Sequence, residues 1–106
     1  MGRRRYDLVY DREVRNHLAA IERKYHSLIR RAIERMLTYE PEREARNRKP
    51  LVRPSTLSTA WELRFGSANR FRVFYRADEE RHEVHILAIG RKEGNHLYIG
   101  GTEFRL

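Results

Sequence analysis

Four side chains in the second half of the chain have the types and spacing to act on a phosphodiester: Arg64, Arg72, Lys92 and Tyr98. RNA can be cut without a metal. The ribose 2′-OH attacks the neighbouring phosphorus, the 5′ oxygen departs, and a 2′,3′-cyclic phosphate remains. That reaction needs a base for the 2′-OH, cations for the extra charge of the phosphorane, and an acid for the leaving oxygen. Arg64, Arg72 and Lys92 suit the second role. Tyr98 suits the first only if nearby cations draw its phenol down from an ordinary pKa near 10. Phe74 and Trp61 are of the kind that stack on single-stranded bases. Arg46, Lys49, Arg76 and Arg91, with Phe74, extend the set as RNA-contacting candidates.

Each residue also has a plain structural reading. Arg64 and Arg72 are ordinary on a solvated strand face, and Tyr98 alone reads as a half-buried strand tyrosine. Trp61 reads as core, Lys92 as a turn cation, and an outward Phe74 equally as a protein interface. The catalytic reading gains weight only if the groups converge on one face and one strand end. His17, His26, His82, His85 and His96 lack the spacing of metal ligands, so no metal or cofactor is expected. His85 or His96 stays open as a proton-transfer group beside an exposed or structural role. Gly90, Gly94, Gly100 and Gly101 form no phosphate-binding loop and read as turn glycines.

The elements that would position these groups follow from periodicity. Tyr6, Leu8 and Tyr10 alternate with polar neighbours, as in a short strand. Asp11 is placed to cap a helix carrying Val14, Leu18 and Ile21. A second helix carries Leu28, Ile29, Ala32, Ile33, Met36 and Leu37, a stripe wide enough to lie on a sheet. His26-Ser27 marks the break between the two, and Glu40-Pro41 the end of the second. Residues 42–59 have no apolar period and contain Pro50 and Pro54, so they read as a frayed helical end and a basic loop.

From Trp61 the period becomes two. Trp61, Leu63 and Phe65 share a face, as do Phe71, Val73, Tyr75 and Ala77, with Arg64, Arg72, Phe74 and Arg76 opposite. Residues 84–89 are apolar except for His85, as in a central strand covered on both sides. A short strand or turn follows through His96 to Ile99. The order is β-α-α-β-β-β: a two-layer α+β domain whose helical hairpin covers one face of an antiparallel sheet. Parity leaves Arg64, Arg72, Phe74 and Arg76 on the uncovered face.

Composition is consistent with this plan. The chain has 106 residues, enough for a single domain spanning 1–106. Its formal net charge of +8 and pI of about 10.4 favour a polyanionic partner: nucleic acid, an acidic protein or an anionic surface. The cations are nearly all arginine, which meets phosphate with a planar fork. Without cysteine, disulfides and thiol chemistry are excluded. Arg3, Arg4 and Arg5 lead into Tyr6-Asp7 rather than an apolar run, and no segment is apolar enough to span a bilayer. A soluble cytoplasmic protein without membrane association is the expectation.

Three segments carry a family resemblance. Phe71-Arg72-Val73-Phe74-Tyr75 is similar to the aromatic–Arg–aliphatic–x–Tyr strand of the RelE/ParE superfamily, the toxins of type II toxin–antitoxin systems. Ile86 to Lys92 is similar to that family's aliphatic strand ending in glycine and basic residues. Asn47 to Leu51 followed by Trp61-Glu62-Leu63-Arg64 resembles the stretch before that sheet. The resemblance covers almost the whole chain and favours the RelE-like branch. RelE-like members are ribosome-dependent endoribonucleases, or mRNA interferases, that arrest translation. The resemblance implies Tyr98 as base, Arg72 as the stabiliser of phosphorane charge, Lys92 or Arg91 as its assistant, and Arg64 as a further strand cation. It also implies a cognate antitoxin, and the ribosome with its mRNA as partners; the oligomeric state is not implied. Glu62 departs from the pattern, standing where RelE-like toxins can carry a lysine. A carboxylate there would repel a phosphate or serve as a base. The alternatives are a non-enzymatic ParE-like toxin acting on DNA gyrase, or an inactive RNA-binding protein of the same fold.

Overall fold

A computed structural model describes residues 4–51 and 60–105. Seven strands form one sheet, with two helices on one face. The chain opens with β1 (Asp7–Tyr10), α1 (Val14–Ala19) and α2 (His26–Leu37). The remaining strands are β2 (Arg48–Pro50), β3 (Trp61–Phe65), β4 (Phe71–Asp78), β5 (Glu83–Glu93), β6 (His96–Ile99) and β7 (Thr102–Phe104). Strands β2 to β7 lie side by side in chain order, and every pairing among them is antiparallel. The exception to the antiparallel expectation is β1, which runs parallel to β5 through Asp7↔Glu83 to Tyr10↔Ile86.

Strand β5 is long enough to serve two neighbours on one edge. Its first half takes β1, and its second half takes β6 from Gly90 onward. Between them Ile89 N–H has no strand partner. It donates instead to His17 Nδ1 on α1 at 3.2 Å, so His17 fills the gap in the ladder. A buried amide left without an acceptor would cost about 1–3 kcal/mol. His17 is thus a structural histidine.

The core lies between the helices and the sheet. Ile29, Ile33 and Leu37 of α2 are at most 1% exposed, spaced one helical turn apart as the apolar stripe predicts. They meet Leu63, Val73, Tyr75, Val84, Ile86 and Ile89. Ile86 and Ile89 share this face although three residues apart, because Leu87 is an extra residue facing the Phe74/Tyr75 step of β4. Such a bulge flips the parity of everything after it.

The first helix is shorter than the sequence pattern suggests. Ile21 is buried but lies beyond α1, after which the chain passes through one 3-10 turn, Arg23–Tyr25. His26 Nε2 lies within hydrogen-bonding distance of the carbonyls of Leu18 and Ile21, at 2.8 and 2.9 Å, tying off the end of α1. Asp11 accepts from Glu13 N–H, one residue before α1, rather than capping its first turn.

The stretch after α2 carries structure that its sequence hid. Arg48–Pro50 is an edge strand on β3, where the two prolines had suggested a loop. Arg48 anchors it by donating from Nη1 to the carbonyls of Met36 and Glu40. Residues 52–59, the rest of the expected loop, lie outside the described residues. No helix among the described residues is long and apolar enough to cross a membrane.

Candidate active site

The face of the sheet away from the helices holds an open concavity of about 770 Å³. It is lined by five cations, Lys49, Arg64, Arg72, Lys92 and Arg105, against two carboxylates, Glu62 and Glu103. Strand register gathers them. Arg64 stands directly across from Arg72, and Lys49 across from Glu62. Arg72 faces Gly90, two residues before Lys92 on the same side of β5.

Two guanidinium groups on directly opposed positions should repel. Glu62 removes the conflict. Arg64 Nε donates to Glu62 Oε1 at 2.8 Å, and Arg72 Nη1 to Glu62 Oε2 at 3.4 Å. Arg72 also donates from Nε to the carbonyl of Asn69 at 3.1 Å. That carbonyl is presented by the β3–β4 turn, where Ala68 and Asn69 hold positive φ angles of 55° and 53°. This left-handed region is costly for Ala68 but readily adopted by asparagine. Asn47 fixes Arg64 by exchanging two backbone and side-chain bonds with it, each of 2.8 Å.

The three charged groups differ in exposure. Arg72 and Glu62 are 6% and 5% exposed, whereas the Arg64 side chain is 39% exposed. Burial pushes the Arg72 guanidinium below its ordinary pKa, and the Glu62 carboxylate opposes that shift. An arginine stays charged through any such change.

Gly90 is required by this packing and is no turn glycine. It sits inside β5, where a Cβ would lie 2.7 Å from the Tyr98 carbonyl and 3.0 Å from Ile99 Cγ1. The tight turns are elsewhere: Gly94-Asn95 joins β5 to β6, and Gly100-Gly101, both with positive φ, joins β6 to β7.

The expected site residues divide. Arg64, Arg72, Lys92 and Lys49 come together in the concavity. Tyr98 does not join them. Gly94-Asn95 is a two-residue turn, so Glu93 pairs with His96, Lys92 with Leu97, and Arg91 with Tyr98. Tyr98 therefore lies on the opposite face of the sheet from Lys92, beneath the Arg91 guanidinium at 5.1 Å. Arg91 shares that face and pairs with Glu93 at 3.1 Å. Phe74 is on the expected face but fully buried beside Ala88 and Glu62, so it offers no ring to a base. Arg46 and Arg76 are exposed and are not among the lining residues.

A further pair borders the concavity from the Tyr98 face of β6 and β7. His96 Nδ1 and Glu103 Oε2 are 2.8 Å apart, across the β6–β7 hairpin. That hydrogen bond holds the Glu103 carboxyl below the usual carboxylate range. It also orients the imidazole and leaves Nε2 as its remaining proton site. The two double-residue turns were the legible signal, since their lengths fix both pairings. Among the described residues no three potential metal-ligating side chains cluster.

Comparison with known proteins places this geometry. Residues 16–100 match the family described as phage derived protein Gp49-like. No curated protein matches the chain. Among solved structures, the fold is similar to a chain of the RelBE2 toxin–antitoxin complex from Mycobacterium tuberculosis. The TM-score is 0.68 at 24% identity, over 83% of this chain and 92% of that one. The chain therefore belongs to the phage derived Gp49-like family and carries the fold of a RelE toxin.

Proposed function

We propose that this protein is the toxin of a toxin–antitoxin pair and a metal-independent endoribonuclease that cuts mRNA on the ribosome. The observation that carries the reading is the gathering of Arg64, Arg72 and Lys92 in one concavity on the uncovered sheet face. A phosphodiester seated there meets preorganised cations from three strands, the arrangement that phosphorane charge requires. The new bond forms between the 2′ oxygen and phosphorus, and the bond from phosphorus to the 5′ oxygen breaks. The 2′ proton passes to a base and a proton reaches the departing oxygen. His96 and Glu103 border the same concavity, but register turns their side chains to the Tyr98 face, so neither is assigned a proton transfer. Tyr98 lies on the other face and is not assigned the base.

The structural relative is one half of a toxin–antitoxin complex, which supports a small protein partner for this chain. The net charge of +8 favours an acidic one. The test is induced expression with mapping of mRNA 5′ ends, followed by purified ribosomes programmed with a defined message. We expect cleavage by the wild type, a loss of about 100-fold or more in Arg72→Ala, and little change in Tyr98→Phe. Intact mRNA alongside DNA-damage signalling would instead support a gyrase-directed toxin.

A further inference from the structure

The carboxylate of Glu62 is placed where a substrate anion would be expected. It bridges the two arginines that face each other across β3 and β4, touching Arg64 at 2.8 Å and Arg72 at 3.4 Å. Both Glu62 and Arg72 are almost fully buried, while Arg64 reaches solvent. A general base needs access to the proton that it removes. A carboxylate already clasped by two guanidinium groups is held as their counterion instead.

We infer that Glu62 is a built-in stand-in for a phosphate: an internal anion that sets the Arg64–Arg72 pair in the free protein and yields Arg72 to a phosphodiester on binding. This rests on the reading of the concavity as an RNA site. Three features argue for it. Opposed arginines need an anion between them to share one site. The Arg72 contact, at 3.4 Å, is longer than a charge-assisted bond of about 2.7–2.9 Å, so Glu62 holds Arg72 less closely than it holds Arg64. The solvent-facing Arg64 gives the route by which an incoming phosphate first meets the cluster. Glu62 thereby weakens ground-state binding and prevents two unpaired arginines from trapping any passing anion. It is a positioning residue, not a catalytic one.

The probe is a short 2′-O-methyl oligoribonucleotide, which binds but has no 2′-OH to react. Glu62→Gln keeps the shape and removes the charge. It should bind about tenfold more tightly than wild type, as expected for deleting one like charge near a bound phosphate. Its plot of log affinity against log salt should steepen, because the arginine pair without its internal carboxylate holds a salt anion that the incoming phosphate releases. Glu62→Asp keeps the charge and should retain the wild-type slope. Circular dichroism checks that each variant is folded. Unchanged affinity and slope in Glu62→Gln, with cleavage abolished, would make Glu62 the base and overturn the inference. Wild-type cleavage is measured separately on ribosomes with natural mRNA. A steeper slope in Glu62→Gln with no cleavage by wild type would support the anion stand-in while refuting the nuclease reading.

Discussion

Arg72→Ala separates the chemistry of the concavity from its structural role. Arg72 is 6% exposed and bonded to both Glu62 and the Asn69 carbonyl. Breaking a buried ion pair costs about 3–5 kcal/mol when the partner is left alone. Here Glu62 keeps Arg64 at 2.8 Å, so the stranded charge is still compensated. The expected loss is therefore nearer ~2 kcal/mol. In a domain of this size that lowers the melting temperature by roughly 10 °C. A domain starting from about 5–15 kcal/mol would remain roughly 99% folded or better at 25 °C. Unfolding cannot then explain a large drop in rate. Loss of a preorganised donor to the phosphorane should slow cleavage by about 100- to 1,000-fold. The assay is the initial rate of mRNA cleavage on purified ribosomes at 25 °C, beside thermal melts of the same preparations. Arg64→Ala is the companion variant: its half-exposed ion pair is screened, so stability should fall by less than about 1 kcal/mol while the rate drops comparably. A folded Arg72→Ala protein cutting within about fivefold of wild type would refute the assignment.

Further outcomes follow from the packing. Gly90→Ala forces a Cβ to 2.7 Å from the Tyr98 carbonyl, and β6 must shift; a loss of about 1–3 kcal/mol is expected in chemical denaturation. Gly94→Ala, with nothing within 4 Å, should cost only backbone strain, about 1 kcal/mol. His17 accepts the Ile89 N–H on Nδ1, and burial lowers its pKa from the ordinary 6.5. The unfolded chain therefore binds the extra proton first as pH falls, so stability is full above about 6.5 and declines below it. His17→Asn, which retains an acceptor without titrating, should flatten that part of the stability–pH curve; an unchanged difference between pH 7.5 and 5 would contradict the role given to His17. Tyr75 donates its hydroxyl to the Pro41 carbonyl at 2.6 Å in the core. Tyr75→Phe should lose about 1–2 kcal/mol in urea titration and leave cleavage per folded molecule unchanged.

Much of the architecture is legible in the sequence because period and punctuation are local. The α2 stripe from Ile29 to Leu37 and the alternation of Leu63, Val73 and Tyr75 against Arg64 and Arg72 are set by residues a few positions apart. The same alternation foretells that both arginines share the uncovered face. Partnerships between distant segments are not so encoded. The parallel seat of β1 beside β5 joins residues more than seventy positions apart, and nothing in Asp7–Tyr10 names its partner. The edge strand at Arg48–Pro50 was hidden by its proline and secured by an arginine reaching back to α2.

The sequence by itself determined which residue types the site has, and, through strand periodicity, the shared side of Arg64 and Arg72. The tertiary structure alone decided their company. A two-residue turn put Tyr98 on the far face, because shifting strand register by one residue reverses every side chain. Pairing of β3 with β4 brought Glu62 between two arginines, and pairing of β6 with β7 joined His96 to Glu103. Periodicity orients a side chain relative to its own strand, whereas a site is made between strands, where only register and packing set the distances.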